Sequence, residues 1–136
     1  MSIAENKKLL AKFEQMINTA DEKLAAELIS ADSIFHAPTN PEPLIGPKGY
    51  LEIVYMMRGA FSDIQWHAED SVIDENKIAV CWQCTGTHDG DFFGKAATGK
   101  KFQVRCMNFY YVEGGKIVKD IGNPDILGIM KQIGAI

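Results

Sequence analysis

The chain has 136 residues, a length that fits one domain, and 46% of them are apolar, enough to fill a core. Its formal net charge of −4, with basic residues scattered, speaks against the basic face of a dedicated nucleic-acid binder. No run is apolar and long enough to span a bilayer, and residues 1–11 are too charged for a secretory leader, so a cytoplasmic protein without a membrane or nucleic-acid partner is expected.

Ala4 to Asn18 reads as a helix, because Leu9, Leu10, Phe13, Met16 and Ile17 recur at helical spacing. Thr19 with Glu22 three residues on has the pattern of a capping box, which predicts a short second helix carrying Leu24, Leu28 and Ile29. Ser33 to Ala37 is a short strand. Pro38 to Pro47 is a proline-rich turn segment, and Gly46-Pro47 opens a third helix with proline at its tolerated first position. Tyr50, Ile53, Val54, Met57 and Phe61 line one side of that helix. Four β-rich stretches follow, at 64–73, 77–88, 101–112 and 116–123. Asp74-Glu75-Asn76 joins the first two, and Glu113-Gly114-Gly115 closes the last two as a hairpin. Residues 88–100 form a longer glycine-rich loop. Asn123-Pro124-Asp125 starts a last helix with the stripe Ile126, Ile129, Met130 and Ile133, and Gly134 ends it. Helices first and hairpin-paired strands after is an α+β order. Four long strands must twist and bend, and the helices are available to cover the concave face over a pocket.

Cys81 and Cys84 make a C-x-x-C, and Cys106 is the third cysteine. A zinc site asks for about four ligands, and strand residues three apart point to opposite faces. Three thiols in a reducing compartment, with no metal, is the reading that fits. Lys95, Lys100, Lys101 and Arg105 read as a solvated loop running into a strand.

Alternation sorts the strands. Ile78, Val80, Trp82, Cys84, Gly86 and His88 share one face, as do Phe102, Val104, Cys106, Asn108, Tyr110 and Val112. Apolar walls with a few placed polar groups are how ligand pockets are built. The opposite set, Gln103, Arg105, Met107, Phe109 and Tyr111, is too apolar for a wet face. It predicts a homodimer through the outer sheet face, the alternative being cover by the last helix.

The run Gly86-Thr87-His88, Gly90, Phe92-Phe93-Gly94, Thr98-Gly99-Lys100 resembles a stretch of the SnoaL-like polyketide cyclases and ester cyclases. So does the ending Gly115-Lys116-Ile117-Val118, Asp125, Leu127-Gly128, Gln132-Ile133-Gly134, together with Phe61-x-Asp63 and Phe35-His36-Ala37-Pro38. The resemblance implies an NTF2-like cone, a curved antiparallel sheet wrapped around N-terminal helices. It also implies metal-free and cofactor-free acid/base chemistry such as aldol cyclisation or isomerisation of a mainly apolar, carbonyl-bearing molecule. The family's acid/base Asp falls at Gly122 here, the His two residues before it at Asp120, an assisting His at Asn108, and a frequent Arg at Cys81.

Asp120 shares a face with Gly122 and is the expected replacement acid/base, since desolvation in an apolar pocket raises a carboxyl pKa toward a useful range. His88 is the second catalytic candidate, at the expected pocket rim, where it polarises a carbonyl or else fixes the loop. Asn108, Trp82, Tyr110, Tyr50, His36 and Trp66 are candidate substrate-binding residues, with core packing as the competing role of the aromatics and of His36. His67 and Glu69 face opposite to Trp66, and the sequence leaves open which set lines the pocket. Asp125 reads as a helix cap. A non-catalytic binding or interaction module of the same fold is the rival reading.

Overall fold

The computed structural model describes residues 2–37 and 40–136. Of the predicted proline-rich segment, Pro38 and Thr39 lie outside the described residues. In order come α1 (Ile3–Thr19), α2 (Glu22–Leu28), β1 (Ile29–Phe35), β2 (Leu44–Ile45), α3 (Gly46–Ala60), β3 (Gln65–Ile73), β4 (Lys77–Thr87), β5 (Lys101–Glu113), β6 (Lys116–Pro124) and α4 (Ile126–Gln132).

Each helix has a physical reason to start and stop. The Ser2 hydroxyl accepts from the Glu5 amide to open α1, and Ala20 closes it in a left-handed turn. The expected capping box at Thr19 is not formed. Thr19 instead ends α1 and donates to the Gln15 carbonyl at 2.7 Å, while the Asp21 carboxylate accepts from the Leu24 amide at 3.0 Å to cap α2. Proline enters α3 in its first turn as expected. Asp125 caps α4 by accepting from the Gly128 amide at 2.8 Å. Among the described residues no helix is long and apolar enough to cross a membrane.

The sheet is curved and unclosed, with strand order β2-β1-β6-β5-β4-β3. It has six strands where the sequence predicts four long ones and a short one. The first strand begins at Ile29 and not at Ser33, and it pairs parallel to β6; the two-residue β2 then pairs with its end. Parallel pairing of β1 is a non-local event with no local signature. The four predicted β-rich stretches form the meander β3–β6, with Trp82 opposite Cys106 and Tyr110 opposite Asp120. Irregularities at Ala68/Asp70 and at Tyr111/Val112 bend the strands, as bulges do.

Every even position of β4 from Ile78 to Gly86 is buried, and so are Phe102, Val104, Cys106, Tyr110 and Val112 of β5. They pack against Leu9, Leu10, Phe13, Met16 and Ile17 of α1. Phe13 is fully buried, its ring 4.9 Å from that of Tyr110 and 5.3 Å from that of Tyr50. Two asparagines lock α1 in place. Buried Asn6 donates to the carbonyls of Asp74 and Glu75, both at 2.8 Å, and so ties α1 to the β3–β4 turn. Asn18 makes a two-way bond with the Trp66 backbone, both distances 2.8 Å, and so fixes β3 at the other end.

The last helix packs under the concave side. Ile129 and Ile133 are buried, and the outer face keeps Met107, Phe109 and Ile121 roughly half exposed. Cover of that face by α4, the alternative read from the sequence, is therefore overturned.

Candidate functional site

Inner faces of β4, β5 and β6 converge with α3 and α4 on a cavity of about 120 Å³. Its lining includes Trp82 and Cys84 of β4, Cys106, Asn108 and Tyr110 of β5, and Asp120 and Gly122 of β6. Tyr50, Val54 and Met57 of α3 face them, and Ile126 and Ile129 of α4 close one side. The stripe of α4 is visible in the sequence, but the surface it covers is not, so its place in the wall was missed.

Strand pairing on both sides holds Asp120, whose partners are Tyr110 of β5 and Phe35 of β1. Lys119 and Ile121 are exposed, while Asp120 and Gly122 line the cavity, as strand alternation requires. The Asn108 side-chain amide donates to Asp120 Oδ1 at 2.8 Å. Burial pushes the Asp120 carboxyl up to about 6, and the Asn108 bond opposes this only in part. An apolar setting disfavours the carboxylate, leaving a group that exchanges a proton near neutral pH.

Trp82 Nε1 donates to the Tyr110 hydroxyl at 3.0 Å, within the buried wall. An indole N–H can only donate, so the Tyr110 oxygen is the acceptor and its own proton is free for another partner. Burial, with the Asp120 charge nearby, pushes both the Tyr110 and the Tyr50 phenol well above the usual range, so both remain neutral donors. The Cys106 sulfur beside it, and burial, push the Cys84 thiol up as well.

Seven of the eight residues singled out from the sequence line this one cavity: His36, Tyr50, Trp66, Trp82, Asn108, Tyr110 and Asp120. His36 is exposed and sits just past the end of β1, so it stands at the mouth and not in the core. The β3 ambiguity is resolved. Trp66 lines the cavity, whereas Glu69 holds Arg105 through two 3.0 Å bonds and His67 lies beside Glu14, both exposed.

His88 is the exception. It is fully buried and outside the cavity lining, not at its rim. Its Nδ1 lies 2.9 Å from the Thr98 hydroxyl and 3.2 Å from the Thr98 amide, and its ring packs 5.6 Å from that of Phe61. The Thr98 amide can only donate, so Nδ1 accepts and the imidazole staples the 88–100 loop. Strand parity carries His88 to the inner face, but the sheet end is filled there by Phe61, Phe92 and Phe102, all buried. Among the described residues no three His, Cys, Asp or Glu side chains come together as a metal site.

The SnoaL-like polyketide cyclase family model matches residues 7–133. The chain belongs to that family. Two cyclase relatives, the aklanonic acid methyl ester cyclases DnrD of Streptomyces peucetius and DauD of Streptomyces sp. (strain C5), are each 33% identical over 101 residues, or 70% of this chain. The matched stretch spans 66% and 59% of those relatives. TsrD from Streptomyces laurentii superposes with a TM-score of 0.87 at 21% identity, over 100% of this chain and 99% of that one. The expected NTF2-like α+β fold of a SnoaL-like protein is therefore the fold observed.

Proposed function

We propose that this SnoaL-like protein binds a mainly apolar, carbonyl-bearing small molecule in the cavity and moves a proton on it with Asp120. The observation that carries this reading is a carboxyl group raised to about 6 within a largely apolar wall, held by one amide bond from Asn108. A group of that strength is about nine-tenths ionised at pH 7, ready to take a proton, and its conjugate acid can return it.

The chemistry follows from the groups present. The Asp120 carboxylate removes a proton from the carbon next to the carbonyl, and the electron pair moves to the carbonyl oxygen. The neutral phenol of Tyr50 donates to that enolate oxygen, and a donor held in place in a dry site stabilises developing charge. Asp120, now protonated, returns the proton to a different carbon in an isomerisation. In an aldol closure the enolate carbon attacks a second carbonyl of the same molecule, and Asp120 protonates the alkoxide that forms. No cofactor is needed for either sequence. The likeness to the two Streptomyces ester cyclases favours ring closure. His88, held by Thr98, is left out of this scheme.

The exposed apolar residues Met107, Phe109 and Ile121 support a homodimer through the outer face of the sheet. Three free cysteines, two of them buried, favour a reducing compartment such as the cytoplasm.

The test is proton exchange at carbon. Acetophenone is incubated in D2O with the protein, and deuterium uptake at its methyl group is followed by NMR. The wild-type chain should accelerate uptake at least about tenfold over buffer, and Asp120→Asn should abolish the gain. Equal uptake with both proteins would defeat the catalytic reading and leave a binding module of the same fold.

A further inference from the structure

Gly122 occupies the interior of β6, where a glycine weakens a strand unless another group needs its space. Its cross-strand partner on β5 is Asn108. A Cβ built on residue 122 would lie on the Asn108 amide nitrogen and 2.8 Å from its Cγ, closer than real Cβ atoms approach. The Asn108 amide thus fills the volume that any other residue at 122 would take, and from there it reaches diagonally to Asp120 Oδ1 at 2.8 Å. Gly122 makes no hydrogen bond of its own to Asp120. Its influence on the carboxyl runs through the amide.

We infer that Gly122 is a positioning residue, whose missing side chain makes room for the Asn108 amide to hold the Asp120 carboxyl in the cavity. The inference rests on Asp120 as the proton-transfer group for its functional meaning, but its physical content stands without any turnover. Three features agree with it. Asn108 and Gly122 are register partners, Asp120 is the next inward position along β6, and pairing with β5 runs on past Gly122 to Pro124, so the backbone at 122 is held against the strand that carries Asn108. Other titratable groups facing Asp120 are Tyr50 from α3, Tyr110 and Cys106 from β5, Cys84 from β4, and His36 at the end of β1. Only His36 among these can carry positive charge, and it stands exposed at the mouth.

An Ala at 122 forces the flexible end of Asn108 to swing away. A hydrogen bond to a charged group then vanishes, and the carboxylate loses the contact that opposes desolvation. The experiment is a titration of the Asp120 carboxyl by carbon-13 NMR in four proteins: wild type, Gly122→Ala, Asn108→Ala, and the double variant. Gly122→Ala should raise the midpoint by about one pH unit, and Asn108→Ala should do the same. In the double variant the second change should add nothing, since both act on one bond. An unchanged midpoint in Gly122→Ala, or a further full shift when it is added to Asn108→Ala, overturns the inference. Should Gly122→Ala fail to fold, the double variant decides: folding of that protein, which has no amide to collide with, supports the inference, and its failure to fold overturns it. Loss of deuterium exchange with these shifts intact would defeat the catalytic reading alone.

Discussion

A carboxyl group that titrates near pH 6 in the fold, against an ordinary 3.8, ties stability to pH. The sign follows from proton binding. The folded chain holds the Asp120 proton to higher pH than the unfolded chain, so this group favours folding fully below pH 3.8. That contribution fades between pH 3.8 and about 6 and is absent above. Ionised Asp120 therefore costs the fold free energy at neutral pH, up to about 3 kcal/mol from the size of the shift. Asp120→Asn keeps the shape and removes the charge. In urea denaturation it should be more stable than wild type at pH 7.5, by up to about 3 kcal/mol, with the difference vanishing at pH 3.5. Equal stability at both values would mean that the side chain is solvated. A residue that weakens its own fold at working pH is expected where chemistry needs it.

Local chemistry explains the helices more fully than it explains the strands. Asp21, not Thr19, caps α2, so Asp21→Ala should cost about 1 kcal/mol in thermal or chemical denaturation. Thr19→Ala should cost less, since it loses only a bond to the carbonyl one turn back. Both residues satisfy the sequence rule for an N-cap, and the left-handed Ala20 between them decides which one is used. The inner face of β4 and β5 was legible because burial on one side of a strand writes a period of two into the sequence. Asn108, Trp82 and Tyr110 could be assembled into one site on that basis alone, whereas Asp120 was reached through the face it shares with Gly122, where the family resemblance puts the acid/base Asp. His88 could not be placed, because parity gives the face of a residue and says nothing of what fills the end of the sheet. The early half of β1 was missed because its pairing is to distant chain, and β2 because two residues are too short to show alternation. The partner of Gly122 was equally hidden, since cross-strand register between 108 and 122 is a property of the folded hairpin.

At the scale of the molecule, the fold has one side that is full and one that is bare. Helices α1, α3 and α4 close the concave face over the cavity, while Met107 and Phe109 on β5 and Ile121 on β6 stay about half exposed on the convex face. Arg105 and Glu69 rim this patch with a bidentate ion pair. An apolar centre with a charged rim has the anatomy of an interface. Sedimentation equilibrium should give twice the chain mass, and Phe109→Lys, which buries an unpaired charge in the contact, should give the single chain with an unchanged circular dichroism spectrum; a wild-type monomer at tens of micromolar would remove the dimer. The cavity lies on the opposite, concave side, lined by the inward residues of the same strands. Chemistry in that cavity turns on the state of one side chain, Asp120. Carbon-13 NMR titration of Asp120 in the wild-type protein reads that state directly: a midpoint near 6 is predicted, and a midpoint near 4, the value of a water-exposed carboxyl, would contradict it.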